Sequence, residues 1–253
     1  MRIGIITQND PFFLTSALNH LFTIWPSHST CVFCVLLSPS PFGKRKSLFE
    51  KLTDTIKIFG VPFALFFGFQ FLFKKLFYAR QFKNLLKKNN IPLIETLSVN
   101  STATLQILRE YKPDVIVSIA GNQIFKTDLL SLPTFGCINL HTSALPKYRG
   151  LMPSFWVLRY NEPYTGVSVF KMDEKIDNGP IIVQKIVPID TNCLRILINK
   201  TKKIGMECIV EALTIIQQGN VEYKSNDASQ MSYFSFPCRS DVLEFHKAGK
   251  RLF

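Results

Sequence analysis

Residues 114–120, DVIVSIA, form a near-continuous apolar run bounded by Pro113 and Gly121. Successive strand residues point to opposite faces, so a strand apolar on both must be covered on both. That is the situation of a central parallel strand, and parallel neighbours need helical crossovers. The chain supplies them. Further strands are expected at residues 3–7, 31–37, 91–94, 136–140, 166–172 and 181–187. Helices are expected at 14–22, 81–88, 101–110 and 152–160. Another is capped by Asn192 and ends near Gly219, with Leu194, Leu197, Ile198, Ile209, Leu213 and Ile216 at core spacing. Alternating strands and helices predict an α/β fold, a doubly wound and mostly parallel sheet with helices on both faces. Ligands in such sheets sit beyond the carboxyl ends of the strands. Residues 7–11, 121–124 and the segment after Asn139 should therefore border one crevice.

The length of 253 residues suits one large domain, 1–219, with a short extension at 220–253 packed on it. A core of that size needs no disulfides. The cysteines stand at 31, 34, 137, 193, 208 and 238. Only Cys31 and Cys34 have motif spacing, and TCVFCVLL reads as a buried strand with no second pair of ligands. Buried, inert thiols and no metal site are expected. The N-terminus, MRIGIITQNDPFF, lacks a secretion signal, so a reducing, cytoplasmic setting is expected. The formal charge of +12 fits nucleic acid, anionic lipid or a phosphate-bearing substrate, and charge alone does not choose. SPSPFGKRK, 38–46, reads as a basic turn-rich connection.

Residues 58–73, IFGVPFALFFGFQFLF, interrupt the pattern as a Phe-rich insert extending over about 56–77, with Lys57 and Lys74-Lys75 at its flanks. A bilayer span needs ~20 apolar residues, so this segment is short for one. Three readings stay open: a helix packed on the sheet, a lid over the crevice, or a segment lying on a membrane surface.

In INLHTSALPKYRG, Asn139 and His141 stand at i and i+2 at the carboxyl end of a strand, so they emerge on one face. An Asn amide can hold a developing oxyanion and a His can exchange a proton near neutral pH. Asp177, in the KIDNGPII turn, offers a carboxylate to orient the imidazole. The three suit acyl transfer by direct attack of a substrate amine, since no strong nucleophile accompanies them. A hydrogen-bonded turn with no catalytic role is the competing reading of Asn-x-His taken alone. Lys147, Tyr148, Arg149 and Gly150 form a basic aromatic loop at the crevice mouth. They are candidates to grip an anionic acceptor, as are Gln8, Asn9 and Asp10. A solvated turn is the alternative in each case.

NLHTSALPKYRG followed by GVSVFKMDEKIDNGPII resembles the formyltransferase family. That group includes methionyl-tRNA, glycinamide ribonucleotide and sugar-nucleotide N-formyltransferases. The resemblance covers residues 111–189 well and the N-terminal strand-loop-helix loosely. It implies a Rossmann-like formyltransferase fold and a catalytic trio of Asn139, His141 and Asp177. It implies 10-formyltetrahydrofolate as donor, its pterin against Gly121, Asn122, Gln123 and Ile124. The segment 172–177, with Met172, Asp173 and Ile176, would close the other side.

The tail after Gly219 is too short for the β-barrel that accompanies the methionyl-tRNA enzymes. The expected function is therefore formyl transfer to a small, anionic amine acceptor, an amino sugar on a nucleotide or lipid carrier. A methionyl-tRNA acceptor, hydrolytic release of formate, and a non-catalytic nucleic-acid-binding relative are the alternatives, with nucleic acid disfavoured. Peripheral membrane contact through 58–73 is an open expectation.

Overall fold

The computed structural model describes residues 1–38 and 47–253. The connection expected at 38–46 lies outside them apart from Ser38. The chain runs β1 (Arg2–Gln8), α1 (Leu14–Thr23), β2 (Thr30–Leu37), α2 (Leu48–Phe59), α3 (Val61–Lys88), β3 (Leu93–Thr96), α4 (Thr102–Glu110) and β4 (Val115–Ile119). It continues through α5 (Thr127–Leu130), β5 (Cys137–His141), β6 (Arg149–Gly150), α6 (Pro153–Arg159), β7 (Tyr164–Lys171), β8 (Ile181–Pro188), α7 (Leu194–Gln218), β9 (Tyr233–Phe234) and α8 (Arg239–Lys247).

Seven strands form one sheet in the order β3-β2-β1-β4-β5-β7-β8. All five residues of β4 are buried, as DVIVSIA demands. One face is covered by α1, α3 and α7, whose Leu18, Phe82 and Ile209 share a core with Ile5 and Val117. The other is covered by α4 and α5, whose Leu105, Leu108 and Leu129 pack with Ile6 and Ile116. The alternation along β1 and β4 thus divides each strand between two cores. The chain leaves β1 for β2 on one side and returns to β4 on the other. This switch opens the crevice between Gln8 and Gly121.

Four details refine or depart from the sequence reading. The last two strands are antiparallel, β5 to β7 and β7 to β8. Residues 172–180 are too few for a crossover, which needs a dozen or more, so the chain turns back as a hairpin. The helix expected at 81–88 is the end of α3, which begins at Val61. The Phe-rich segment is split at Gly60 into two helices, with Pro62 in the first turn of the second. Ser47 and Glu50 start α2 with a reciprocal capping box. Finally, Cys193 rather than Asn192 is the N-cap of α7. The Asn192 amide instead donates to the Gly249 carbonyl, 3.4 Å away.

The residues after α7 return to the domain. β9 pairs with β6, and Phe245 of α8 stacks on Phe155 of α6 with centroids 4.6 Å apart.

Cys31, Cys34, Cys137, Cys193 and Cys208 are buried, and Cys238 is exposed. Burial pushes the Cys31 thiol up to about 12 and raises the Cys34 thiol well above its ordinary range. A buried thiol that keeps its proton is a poor nucleophile. Ellman's reagent at pH 8 should therefore label Cys238 alone at an appreciable rate in the native protein, and all six cysteines after denaturation. Rapid native labelling of Cys31 or Cys34 would contradict this burial.

Candidate active site

β5 carries Asn139 and His141 to the carboxyl edge of the sheet. The β7–β8 hairpin brings Asp177 to them. Asp177 Oδ2 lies 3.6 Å from His141 Nδ1, and Oδ1 accepts from the Asn139 amide at 3.5 Å. His141 is 7% exposed. Its other nitrogen, Nε2, is 2.8 Å from the Tyr148 carbonyl oxygen. A carbonyl only accepts, so Nε2 carries a hydrogen and Nδ1 is the nitrogen turned toward Asp177. The longer Nδ1 distance leaves that nitrogen available to a reacting group between Asn139 and His141.

Several contacts hold the carboxylate. The Gly150 amide donates to Asp177 Oδ2 at 2.8 Å. Asp177 itself has φ 48°, a left-handed conformation that Asp tolerates better than most residues. Gly179, two residues on, passes so close to the Lys171 carbonyl that any Cβ would collide with it. This explains the Asp-x-Gly spacing physically: the turn that presents Asp177 closes only over a glycine. Gly150 is similarly required, since φ is 94° and a Cβ would meet the Phe234 carbonyl.

The Lys147–Arg149 loop is placed differently from a surface grip. Lys147 is exposed. Arg149 is 3% exposed, and its guanidinium donates to Asn178 Oδ1 at 2.8 Å and to Asn226 Oδ1 at 2.8 Å. Tyr148 is buried, with φ 59°, and its ring stacks on Phe234. Its hydroxyl donates to Glu162 at 2.6 Å, and burial together with that carboxylate keeps the phenol protonated by raising its pKa. Tyr148 thereby aims its carbonyl at His141. Asn226, which the sequence reading did not single out, donates to the carbonyls of Asp177 and Gly179 at 2.9 Å each. Ser232 accepts from the Tyr148 amide. No motif marks Asn226 or Ser232; only their proximity in the fold does.

The candidate donor-side residues border the same strand end. Ser118 of β4 pairs with Asn139, so the loop Gly121, Asn122, Gln123 and Ile124 leaves the sheet beside it. The Gln123 side chain accepts from Val99 and donates to Leu97, and so braces the β3–α4 loop. Asn122 donates to the Ser38 carbonyl, and its Oδ1 is buried with no partner among the described residues. Met172 donates its amide to Cys137 of β5, and Asp173 accepts from Asn178. Ile176 is half-buried and Ile124 exposed. Glu174 accepts from Thr127. At the end of β1, the Asn9 amide donates to the Leu37 carbonyl, and Gln8 is half-buried. Asp10 accepts from the amides of Phe12 and Phe13 at the start of α1 and faces Lys202 at 3.8 Å. Burial lowers the Lys202 pKa, and Asp10 opposes that shift. An open cavity of about 300 Å³ lies against Asn9, Leu37 and Leu97. None of Asn139, His141 and Asp177 lines it. Among the described residues, no group of His, Cys, Asp and Glu could hold a metal ion.

Replacing Asn226 with Ala removes the side-chain bonds to the Asp177 and Gly179 carbonyls and to the Arg149 guanidinium, which keeps the Asn226 backbone carbonyl at 3.1 Å. It should lower the unfolding free energy by ~1–3 kcal/mol in urea titration. It should also speed hydrogen exchange at the Gly150 amide, whose acceptor is Asp177. Unchanged exchange there would show that the turn does not depend on Asn226.

The formyl transferase family model matches residues 75–213, more than half of the chain. The methionyl-tRNA formyltransferase of Thermotoga maritima is 35% identical over 167 residues, 65% of this chain and 53% of that one. The chain thus spans about half the length of the curated relatives it matches. An N-formyltransferase of Helicobacter canadensis, solved with folinic acid and dTDP-3-aminofucose, superposes with TM-score 0.54 at 21% identity, over 94% of this chain and 71% of that one. The phosphoribosylglycinamide formyltransferase of Anaplasma phagocytophilum superposes with TM-score 0.63 at 16% identity, over 92% and 98%. At these identities the likeness is one of fold. The matched segment contains the strand that carries Asn139 and His141 and the hairpin that carries Asp177, and on that match this chain belongs to the formyl transferase family.

Proposed function

We propose that this chain transfers a formyl group from 10-formyltetrahydrofolate to a primary amine of a small acceptor, an amino sugar carried on a nucleotide or a lipid. The observation that carries the reading is the meeting of Asn139, His141 and Asp177. An amide donor, an imidazole with one free nitrogen and an internally held carboxylate converge from two separate elements.

The chemistry follows from the geometry. The Asn139 amide and, with His141 doubly protonated, its Nδ1–H hold the formyl oxygen as negative charge develops on it. Asp177 orients the imidazole and takes the proton that the attacking amine loses once its bond to the formyl carbon forms. The C–N bond to the donor breaks, and the proton passes to the departing nitrogen. The Tyr148 carbonyl fixes the imidazole so that Nδ1, not Nε2, faces the reaction. Asn122 Oδ1, without a partner among the described residues, fits a donor-rich heterocycle beside β4, and the backbone of 121–124 and 172–177 offers further polar edges.

On this reading Lys147 is the loop residue left to meet an anionic acceptor, together with Gln8 and Asn9. Tyr148, Arg149 and Gly150 shape the site from within. The small acceptor is favoured because 220–253 folds back to clamp the catalytic turn through Asn226 and Ser232. A methionyl-tRNA acceptor is the second reading, favoured by the 35% identity to the Thermotoga maritima enzyme.

The test is to incubate the protein with 10-formyltetrahydrofolate and, separately, a panel of amino-sugar nucleotides and methionyl-tRNA. Mass spectrometry then looks for one added formyl group. A formylated sugar is the expected product. Formylated methionyl-tRNA would replace the acceptor, and formate released without acceptor would make the chain a hydrolase. His141→Ala and Asp177→Ala should each lower turnover by ~10²-fold or more. Near wild-type transfer by His141→Ala would remove the trio from the mechanism.

A further inference from the structure

The Phe-rich segment packs on the domain with one face only. Phe63, Phe67 and Phe71 of α3 form an inner ladder at four-residue spacing, and Phe12, from the loop after β1, stacks on Phe67 with centroids 4.9 Å apart. The opposite face carries Val61, Leu65, Phe69, Leu72, Phe73 and Phe77 at helical spacing, all exposed. Leu65 is 70% exposed and Phe69 67%. The stripe runs for ~25 Å along the helix. α2, which packs on α3, exposes Phe49 and Leu52. Folded monomers rarely leave so continuous an apolar ridge uncovered unless something binds it. Most of it lies ahead of residue 75, where the family match begins.

The charge around the ridge selects among occupants. From residue 48 to 88, the whole of α2 and α3, the sequence holds Lys51, Lys57, Lys74, Lys75, Arg80, Lys83, Lys87 and Lys88 against Glu50 and Asp54 only. Lys57, Lys75, Arg80 and Lys83 are exposed. A second copy of the same face would bring these cations against each other. A surface of anionic headgroups over acyl chains complements both properties at once, since the rings enter the apolar boundary while the cations meet the headgroups. Spanning is a different matter. Among the described residues no single helix is long and apolar enough to cross a membrane. The two parts of α3, Val61–Lys75 and Phe77–Lys88, meet that test only together and are bent by 42°. The second part is committed to the domain, with Tyr78, Phe82, Leu85 and Leu86 in the core.

We propose that the outer face of α3, with α2 beside it, docks this protein on the surface of an anionic lipid bilayer. The contact is interfacial, and the crevice stays on the aqueous side. Phe12 joins the inner side of α3 to the loop that borders the crevice, so the docking surface and the site share one support.

The experiment is cosedimentation of the full chain with vesicles of phosphatidylcholine alone or mixed with an equal part of phosphatidylglycerol. Binding is expected to the mixed vesicles and to weaken strongly in high salt. Phe69→Ser with Phe73→Ser should lower partitioning by ~100-fold, since each ring contributes through its buried area. Lys75→Glu with Lys83→Glu should weaken binding to the mixed vesicles while leaving the ridge intact. Both pairs alter exposed side chains, so thermal unfolding should stay as in the parent. Docking does not use the trio, and His141→Ala should bind like the parent even if formyl transfer fails its own test. Three results would overturn the proposal: no binding of the parent to mixed vesicles, equal binding by the double Phe variant, or lipid-free self-association abolished by that variant. The last would assign the ridge to a second copy of the chain.

Discussion

The carboxylate of Asp177 is the point at which the separate parts of this protein meet. It is held by the Gly150 amide, faces Asn139 and His141, and sits on a backbone turn fixed by Asn226. Each contact comes from a different element: β6, β5 and the segment after α7. A carboxylate so enclosed has little freedom to turn away from the imidazole. The cost is a buried guanidinium. Arg149 must find its acceptors inside the protein, and Asn178 and Asn226 provide them. Removing one acceptor would leave a buried charge short of a partner, which proteins tolerate poorly.

This arrangement gives the last thirty or so residues a role in the site rather than beside it. β9 extends the backbone of β6 at Arg149 and Gly150, and the Gly150 amide and the Arg149 guanidinium hold the Asp177 turn. Tyr148 is pinned at its amide by Ser232, at its ring by Phe234 and at its hydroxyl by Glu162. With three anchors, an aromatic residue can keep a left-handed backbone that would otherwise be strained. The benefit is a carbonyl that holds one imidazole nitrogen and turns the other toward Asp177.

Much of the fold was legible in advance. DVIVSIA had to be a covered strand, and the 3.6-residue spacing from Leu194 to Ile216 had to be a helix with one apolar face. Local reading failed where a connection's length outweighed its composition. The nine residues between β7 and β8 dictate an antiparallel turn, which composition does not signal. It failed again at residues 58–88, where a Phe-rich run and an amphipathic end are one helix after a Gly–Pro break. Of the site, the Asn139–His141 pair was legible because strand geometry alone puts i and i+2 on one face. The convergence of Asp177 required the sheet to close.

The sequence by itself determined which stretches form strands and helices, and that an amide and an imidazole share one strand end. These depend on periodicity and on the side chains of near neighbours. Only the tertiary structure decided what Lys147, Tyr148 and Arg149 do. A basic aromatic loop reads the same whether its cations face solvent or lie inside. Arg149 went inside because Asn178 and Asn226, 29 and 77 residues further along the chain, met it there. The outer face of α3 is the converse: composition could not tell a buried helix from an exposed one, and packing left six apolar side chains in the open because the domain covers only the ladder opposite them.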